Sequence, residues 1–310
     1  MELFLKIVSP IKSYDFNNFI HNLLLSLPAS ILIGIILFFI LGFIPKLKSK
    51  EYRIYIVFSL TIIISFTIAL YNLGVSFETL VAVYSEWLHL IVRWIHIIVG
   101  VAWIGTSFYF NWLDSRLERD DPNFKHLDGY LWSVHSGGFY RIEKLKGPPE
   151  QLPKVLHWFK WEAYSTWISG FVLLILVYYL NASTMMLGND GIELSPLGSI
   201  FISILLLLGS WLLYDFTCRN SSEESQQTLV IIGFSIFVIM SYILTQIFGS
   251  RAAYIHVGAI IGTLMAANVF RVIIPAQKNL VNAAEKNKEP NLTLSLEAKN
   301  RSIHNNYFTL

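Results

Sequence analysis

Seven stretches of the chain, 23–45, 54–74, 87–113, 162–181, 195–214, 228–248 and 252–275, are dominated by Leu, Ile, Val, Phe and Trp. Each is about 20 residues or longer, enough to cross a hydrocarbon core of about 30 Å as a helix. The polar segments between them alternate in charge. The first loop carries Lys46, Lys48, Lys50 and Arg53, whereas the second, 74–86, has acidic residues and neither Lys nor Arg. Positive loops stay on the cytoplasmic side, so the first loop is expected inside and the N-terminus outside. The 114–161 loop, with Arg116, Arg119, Lys125, Arg141, Lys144, Lys146, Lys154 and Lys160, then also falls inside. Asp190 and Glu193 fall outside, Arg219 and the tail with Lys278, Lys286, Lys288 and Arg301 inside, and Arg251 is the one cation on the wrong side.

The pattern predicts an all-α polytopic transmembrane helix bundle of about seven spans. Residues 1–275 form the membrane domain, with a structured cytoplasmic cap at 114–161, and 276–310 form a polar cytoplasmic tail read as a helix end and a flexible connector. Composition agrees: 54% of the 310 residues are hydrophobic and 14% charged, against about 25% charged in soluble domains. The apolar run from Leu23 continues to Ile44 without a small-residue cleavage pattern, so it reads as an uncleaved helix in a lipid bilayer. A formal net charge of +2 gives no support to nucleic-acid binding. Cys218 is the single cysteine, which excludes a Cys-x-x-Cys metal site and the attachment of c-type haem to this chain. Any metal held here must lean on histidine.

Ionisable residues at membrane depth are costly, about 2.5–3.5 kcal/mol each, and mark sites. His89, Arg93 and His96 share one face of the third apolar stretch at i, i+4 and i+7. His256 enters the last stretch from the same outer side. Two imidazoles from different helices are the usual axial pair of a haem b, which makes His96 and His256 candidate ligands of its iron. Arg93, and with it His89, would help hold the cofactor, Arg93 by pairing with a propionate. His89 beside Trp87 also reads as part of an aromatic belt, and His96 and His256 also read as interhelical hydrogen-bonding groups.

A second group gathers on the expected cytoplasmic side. Trp132, Tyr140, Arg141, His304 and Asn305 would bind a flat anionic heterocycle by stacking, charge and in-plane hydrogen bonds, and His135, His157, Lys160 and Glu162 would carry acid–base chemistry. The same residues also describe a solvated basic loop that obeys the positive-inside rule.

Long strings carry a family resemblance: Arg93 to Asp114 (RWIHIIVGVAWIGTSFYFNWLD), Trp132 to Tyr140 (WSVHSGGFY), Leu156 to Tyr164 (LHWFKWEAY) and, further on, Leu244 to Phe248, His256 to Ala259, Ala267 to Phe270, Ile274 to Gln277 and Ser302 to Tyr307. From about Trp87 onward the chain resembles the membrane domain of urate hydroxylase, the membrane-bound urate oxidase. The resemblance implies a bacterial inner-membrane oxidoreductase of purine catabolism that oxidises urate to 5-hydroxyisourate and passes electrons to a cytochrome c. Members of that family continue through an eighth helix into the cytochrome, which is not present by residue 310, so a separate cytochrome is the implied partner unless the chain is truncated. Two rivals remain open at this point: a haem-bearing electron-transfer subunit that oxidises nothing itself, and a purine permease with no redox cofactor.

Overall fold

The computed structural model describes residues 16–42, 50–72, 74–149, 151–188, 192–220, 226–286 and 288–309. Lys46, Lys48 and Asp190, on which part of the charge pattern rests, lie outside them. The chain divides into two compact units, 1–90 and 91–310.

The first unit is built on α1 (Phe16–Gly42) and α2 (Lys50–Asn72). Their close approach is marked by Ser26, whose Oγ donates to the carbonyl of Ser65 at 2.9 Å, with both serines buried. Small hydroxyl residues at a helix contact let backbones come near and satisfy each other's polar groups. A short turn leads to α3 (Phe77–Arg116), and Leu70, Val75 and Leu80 pack together there against Tyr84. Glu78 in the first turn and Arg116 in the last match the polarity of this 40-residue helix. Its later part belongs to the second unit.

In that second unit, β1 (Leu127–His135) and β2 (Gly138–Leu145) form an antiparallel hairpin. Ser136 and Gly137 make its two-residue turn with φ of 49° and 78°. Two positive φ values in a row match the right-handed twist of the strands, and glycine accepts such a conformation without strain. The expected cap is therefore a hairpin, and the remainder of the unit is helical. α4 (Trp161–Leu173) runs on into a π turn, Leu174–Tyr179; α5 (Ala182–Met185) is a single turn; α6 (Pro196–Asn220) and α7 (Gln226–Ile247) follow. α8 (Ser250–Asn268) passes through a second π turn, Val269–Ile273, into α9 (Ile274–Glu285), and α10 (Leu292–Thr309) ends the described chain.

Six helices among the described residues are long and apolar enough to cross a membrane: Ile20–Phe38, Arg53–Asn72, Phe77–Arg116, Trp161–Tyr179, Pro196–Asn220 and Ser250–Glu285. The seventh expected stretch falls on α7, whose apolar part is the shorter helix Gly233–Ile247. Rows of large apolar side chains stay uncovered, Trp94 at 65% and Val101 at 67% exposure on α3 among them. Such rows suit a lipid surround, where burial against protein is not needed to escape water.

The tail differs from the flexible connector suggested by its polarity. On α10, Ala298, Arg301 and Asn305 fall on one stripe and are buried. The Arg301 guanidinium, 2% exposed, donates to Asp215 Oδ1 at 2.7 Å and to Asn268 Oδ1 at 3.1 Å, and lies over the Tyr214 ring. Asn268 donates in turn to Tyr214 Oη at 3.1 Å and to Asn305 Oδ1 at 3.0 Å, and Asn305 donates to the Met265 carbonyl. A buried charge is tolerated when its hydrogen bonds and its counter-charge are both supplied. This helix is fastened by polar groups, which is why its low apolar content does not keep it from docking.

Candidate functional site

Two cavities stand out among the described residues of the second unit. The first is a slot of about 630 Å³ between α3, α4 and α8, closed at one side by the π turn after α4. Leu174, Val177 and Tyr178 of that turn line it, and π insertions frequently re-aim side chains at functional sites. Trp103, Phe171 and Leu207 add apolar wall, and Gly100, Gly258 and Gly262 leave flat floor. Three basic side chains stand out in this lining: Arg93, His96 and Arg251.

His96 is held by one edge. Its Nδ1 lies 3.1 Å from the Thr166 carbonyl and 3.0 Å from Ser169 Oγ. The carbonyl can only accept, and the Ser169 hydroxyl already donates to the Ser165 carbonyl at 2.7 Å, so Nδ1 carries the proton and donates. Nε2 is then the bare nitrogen, and no group among the described residues bonds to it. Gly170 makes this placement possible: a Cβ there would stand 3.0 Å from His96 Cε1. Arg93 and Arg251 line the slot, are exposed, and have no ion-pair partner among the described residues.

His256 is wired in the same sense but sealed. It is fully buried, its Nδ1 donates to the Ala252 carbonyl at 2.7 Å, and its ring stacks on Phe248. Its Nε2 accepts from Ser203 Oγ at 2.6 Å, and Ser203 accepts from Tyr179 Oη at 2.7 Å. The residue does not line the slot. A haem b clamped between His96 and His256 therefore does not fit this arrangement, because the second nitrogen is already spent inside the protein. His89 belongs to the first unit, half-buried on α3.

The second cavity, about 440 Å³, is more polar than the first. Trp103, Phe110, Trp158 and Phe159 give it aromatic walls, and Asn111, Gln277, Asn305, Asn306 and Ser302 bring amides and a hydroxyl to its lining. The second π turn contributes Val269 and Ile273. Asn306 Nδ2 donates to Asn111 Oδ1 at 3.1 Å, tying α10 to α3 across the mouth. Glu162, in the first turn of α4, presents a buried carboxylate oxygen, Oε2, that has no hydrogen-bond partner. Its other oxygen lies 3.8 Å from Nε2 of the exposed His157. A carboxylate favoured by a helix N-terminus yet left half-unsatisfied is a strong acceptor awaiting a donor.

Of the residues expected to act together, His157, Glu162 and Asn305 converge on this pocket. Lys160 lies beside it in sequence but turns to the Trp161 ring. His304 does not line it: its Nδ1 accepts from Tyr214 Oη at 2.8 Å, and burial together with the Arg301 charge pushes its pKa down. Trp132, His135, Tyr140 and Arg141 ride on the hairpin, outside the pocket lining. His135 sits at the exposed tip against Ser136 Oγ, and Arg141 stacks over Phe124 and Tyr130 and pairs with Glu143 at 3.0 Å. The hairpin has its own electrostatics: Lys144 and Arg119 hold the Asp128 carboxyl below its ordinary range, and the bond to Asp121 pushes Tyr130 up to about 12.

Arg251, Trp103, Asn111 and Gln277 were not among the expected site residues. Arg251 had a signal, as the one cation that broke the charge alternation, and Asn111 is a lone amide between Phe110 and Trp112 in an apolar stretch.

The fold and its two cavities define a class: an all-α bundle of membrane-spanning character with an apolar, cation-edged slot and a polar pocket. Residues 82–310 match the model of the family described as urate oxidase N-terminal, and the chain belongs to that family. No curated protein and no solved structure matches it.

Proposed function

We propose that the protein is a membrane-bound oxidoreductase that converts urate to 5-hydroxyisourate, with the polar pocket as its substrate site. Family membership supports the urate chemistry. The single observation that carries the site is the unpartnered, buried Oε2 of Glu162 inside an aromatic, amide-lined cavity of about 440 Å³. Urate is a small flat anion edged with alternating N–H and C=O groups. Aromatic faces suit its ring, and Asn and Gln side chains match both kinds of edge group.

In this reading Trp103, Phe110 and Trp158 confine the ring, and Gln277 and the Asn111–Asn306 pair bond its edge. Glu162 accepts a ring N–H proton and hands it to His157, which is exposed to water and releases it. Urate and water give 5-hydroxyisourate, two protons and two electrons, and the electrons leave to a cytochrome c as separate partner or further domain. In the same reading the pocket faces the cytoplasmic side of a bacterial inner membrane, which the loop charges support.

The test is calorimetric titration of urate into the full chain held in lipid nanodiscs. Gln277→Ala is expected to weaken binding about tenfold, the worth of one hydrogen bond of about 1.4 kcal/mol, and His135→Ala to leave it unchanged. Equal binding in wild type and Gln277→Ala contradicts the assignment of this pocket.

A further inference from the structure

The expected pair of haem ligands and the observed histidine wiring disagree, and the disagreement has a chemical resolution within the slot. We infer that the slot is a haem b site in which His96 is the only protein ligand of the iron and Arg93 and Arg251 are the cations for the two propionates. The inference is independent of the urate reading: Trp103 is the one residue that lines both cavities, and no group that hydrogen-bonds or deprotonates urate is used here.

Three observations carry it. The first is the tautomer of His96. An imidazole that ligates a metal characteristically gives its other N–H to a carbonyl, which fixes the ring and raises its basicity, and His96 does so to Thr166 with Ser169 beside it. Its bare Nε2 is unclaimed among the described residues, whereas the same nitrogen of His256 is claimed by Ser203. The second is charge. Two guanidinium groups line one apolar slot without a carboxylate partner among the described residues. Two propionates supply the two missing charges, in the bidentate geometry that guanidinium favours.

The third is shape and order along the helices. A slot of about 630 Å³ with an apolar lining and glycine floor takes a flat apolar body. Arg93 lies three residues from His96, about 4.5 Å along α3 at the helical rise. Met265, the one other slot residue with a soft ligand atom, lies fourteen residues from Arg251 on α8, about 21 Å away by the same rise. The ligand nitrogen is thus near the cations and the thioether far from them.

The site supplies one-electron redox chemistry when occupied, and what this chain provides is the axial nitrogen, the counter-charges and the dry walls. The experiment is a haem count and an electron paramagnetic resonance spectrum on the full chain, purified from haem-replete cells into nanodiscs. Stoichiometric haem with a high-spin ferric signal is expected, because one protein nitrogen leaves the other axial position to water. His96→Ala is expected to lose the haem, and added imidazole to restore it, which separates a lost ligand from a lost fold. His256→Gln, which keeps an acceptor for Ser203, is expected to retain it. Arg93→Gln and Arg251→Gln are each expected to lower retention of haem in reconstitution about tenfold. A low-spin bis-histidine signal in the wild type, full haem in His96→Ala, or a folded chain that takes up no haem overturns the inference.

Discussion

Trp103 lines both cavities, and the two are otherwise opposites. On one side the wall is apolar and glycine-rich, broken by one imidazole and two unpaired cations. On the other it is aromatic and amide-rich, with an unsatisfied carboxylate. The difference lies in what each leaves unpaired: the slot leaves positive charge and a nitrogen lone pair, the pocket leaves negative charge. Buried polar groups are nearly always satisfied, so the buried Glu162 oxygen points to a missing donor, whereas Arg93 and Arg251 are exposed and mark uncompensated charge in the slot lining. The slot asks for a ligand with an anionic edge and an apolar body, the pocket for a compact donor of N–H groups. Each is bordered by a π turn, which spoils helical regularity where a side chain must be turned into the cavity.

This contrast is broken most severely by removing the pocket's acceptor. Glu162→Gln is expected to lower kcat for urate by roughly 10²–10⁴-fold, the usual worth of a positioned acid–base group, with slot occupancy unchanged; steady-state kinetics beside a haem count measures both. Arg301→Ala strikes the helix that closes both cavities. It leaves Asp215 with only the exposed Arg219 as partner, and a loss of about 3 kcal/mol in stability is expected, the low end for a broken buried pair. Thermal unfolding in detergent measures it, and both cavities are expected to fail together.

The sealed histidine offers a smaller and sharper test. Ser203→Ala removes the donor to His256 Nε2, and an orphaned buried acceptor costs about 1–3 kcal/mol; activity of the folded fraction is expected to stay at the wild-type value, which would not hold if His256 carried the cofactor. Acidification acts on α10. His304 has its pKa pushed below the ordinary 6.5, so below that pH the unfolded chain binds a proton that the folded chain refuses, and stability falls as pH falls. Melting scans against pH are expected to show this loss in the wild type and less of it in His304→Gln. His135→Ala, at the hairpin tip, is expected to change neither stability beyond about 0.5 kcal/mol nor turnover.

The helical class and six of the seven expected apolar stretches were legible because apolar stretches longer than 18 residues have few other destinies, the seventh being the shorter apolar part of α7. The cost of ionisable groups at membrane depth singled out His96 and Arg93 in the sequence, and both line the slot. The rest depended on contacts that sequence does not state. His96 and His256 look equivalent in the chain, and the distinction arises from Ser203, more than fifty residues from one and a hundred from the other. The hairpin aromatics and cations have the composition of a binding site, yet they satisfy one another. Asn111 and Gln277 sit far apart in sequence and meet only because α3 and α9 border the same pocket. A docked α10 was hidden because its buried stripe is polar, and hydropathy cannot distinguish a buried network from a solvated face.

The central claim is that the polar pocket acts on urate. Its most direct test is anaerobic consumption of urate by the purified full chain in nanodiscs, with ferricyanide as one-electron acceptor and the product identified as it forms. The account predicts that urate is converted to 5-hydroxyisourate with two ferricyanides reduced for each urate, and that Glu162→Gln slows the reaction by roughly 10²–10⁴-fold while remaining folded. Unchanged turnover in Glu162→Gln, or no urate consumed by the folded wild type, contradicts it.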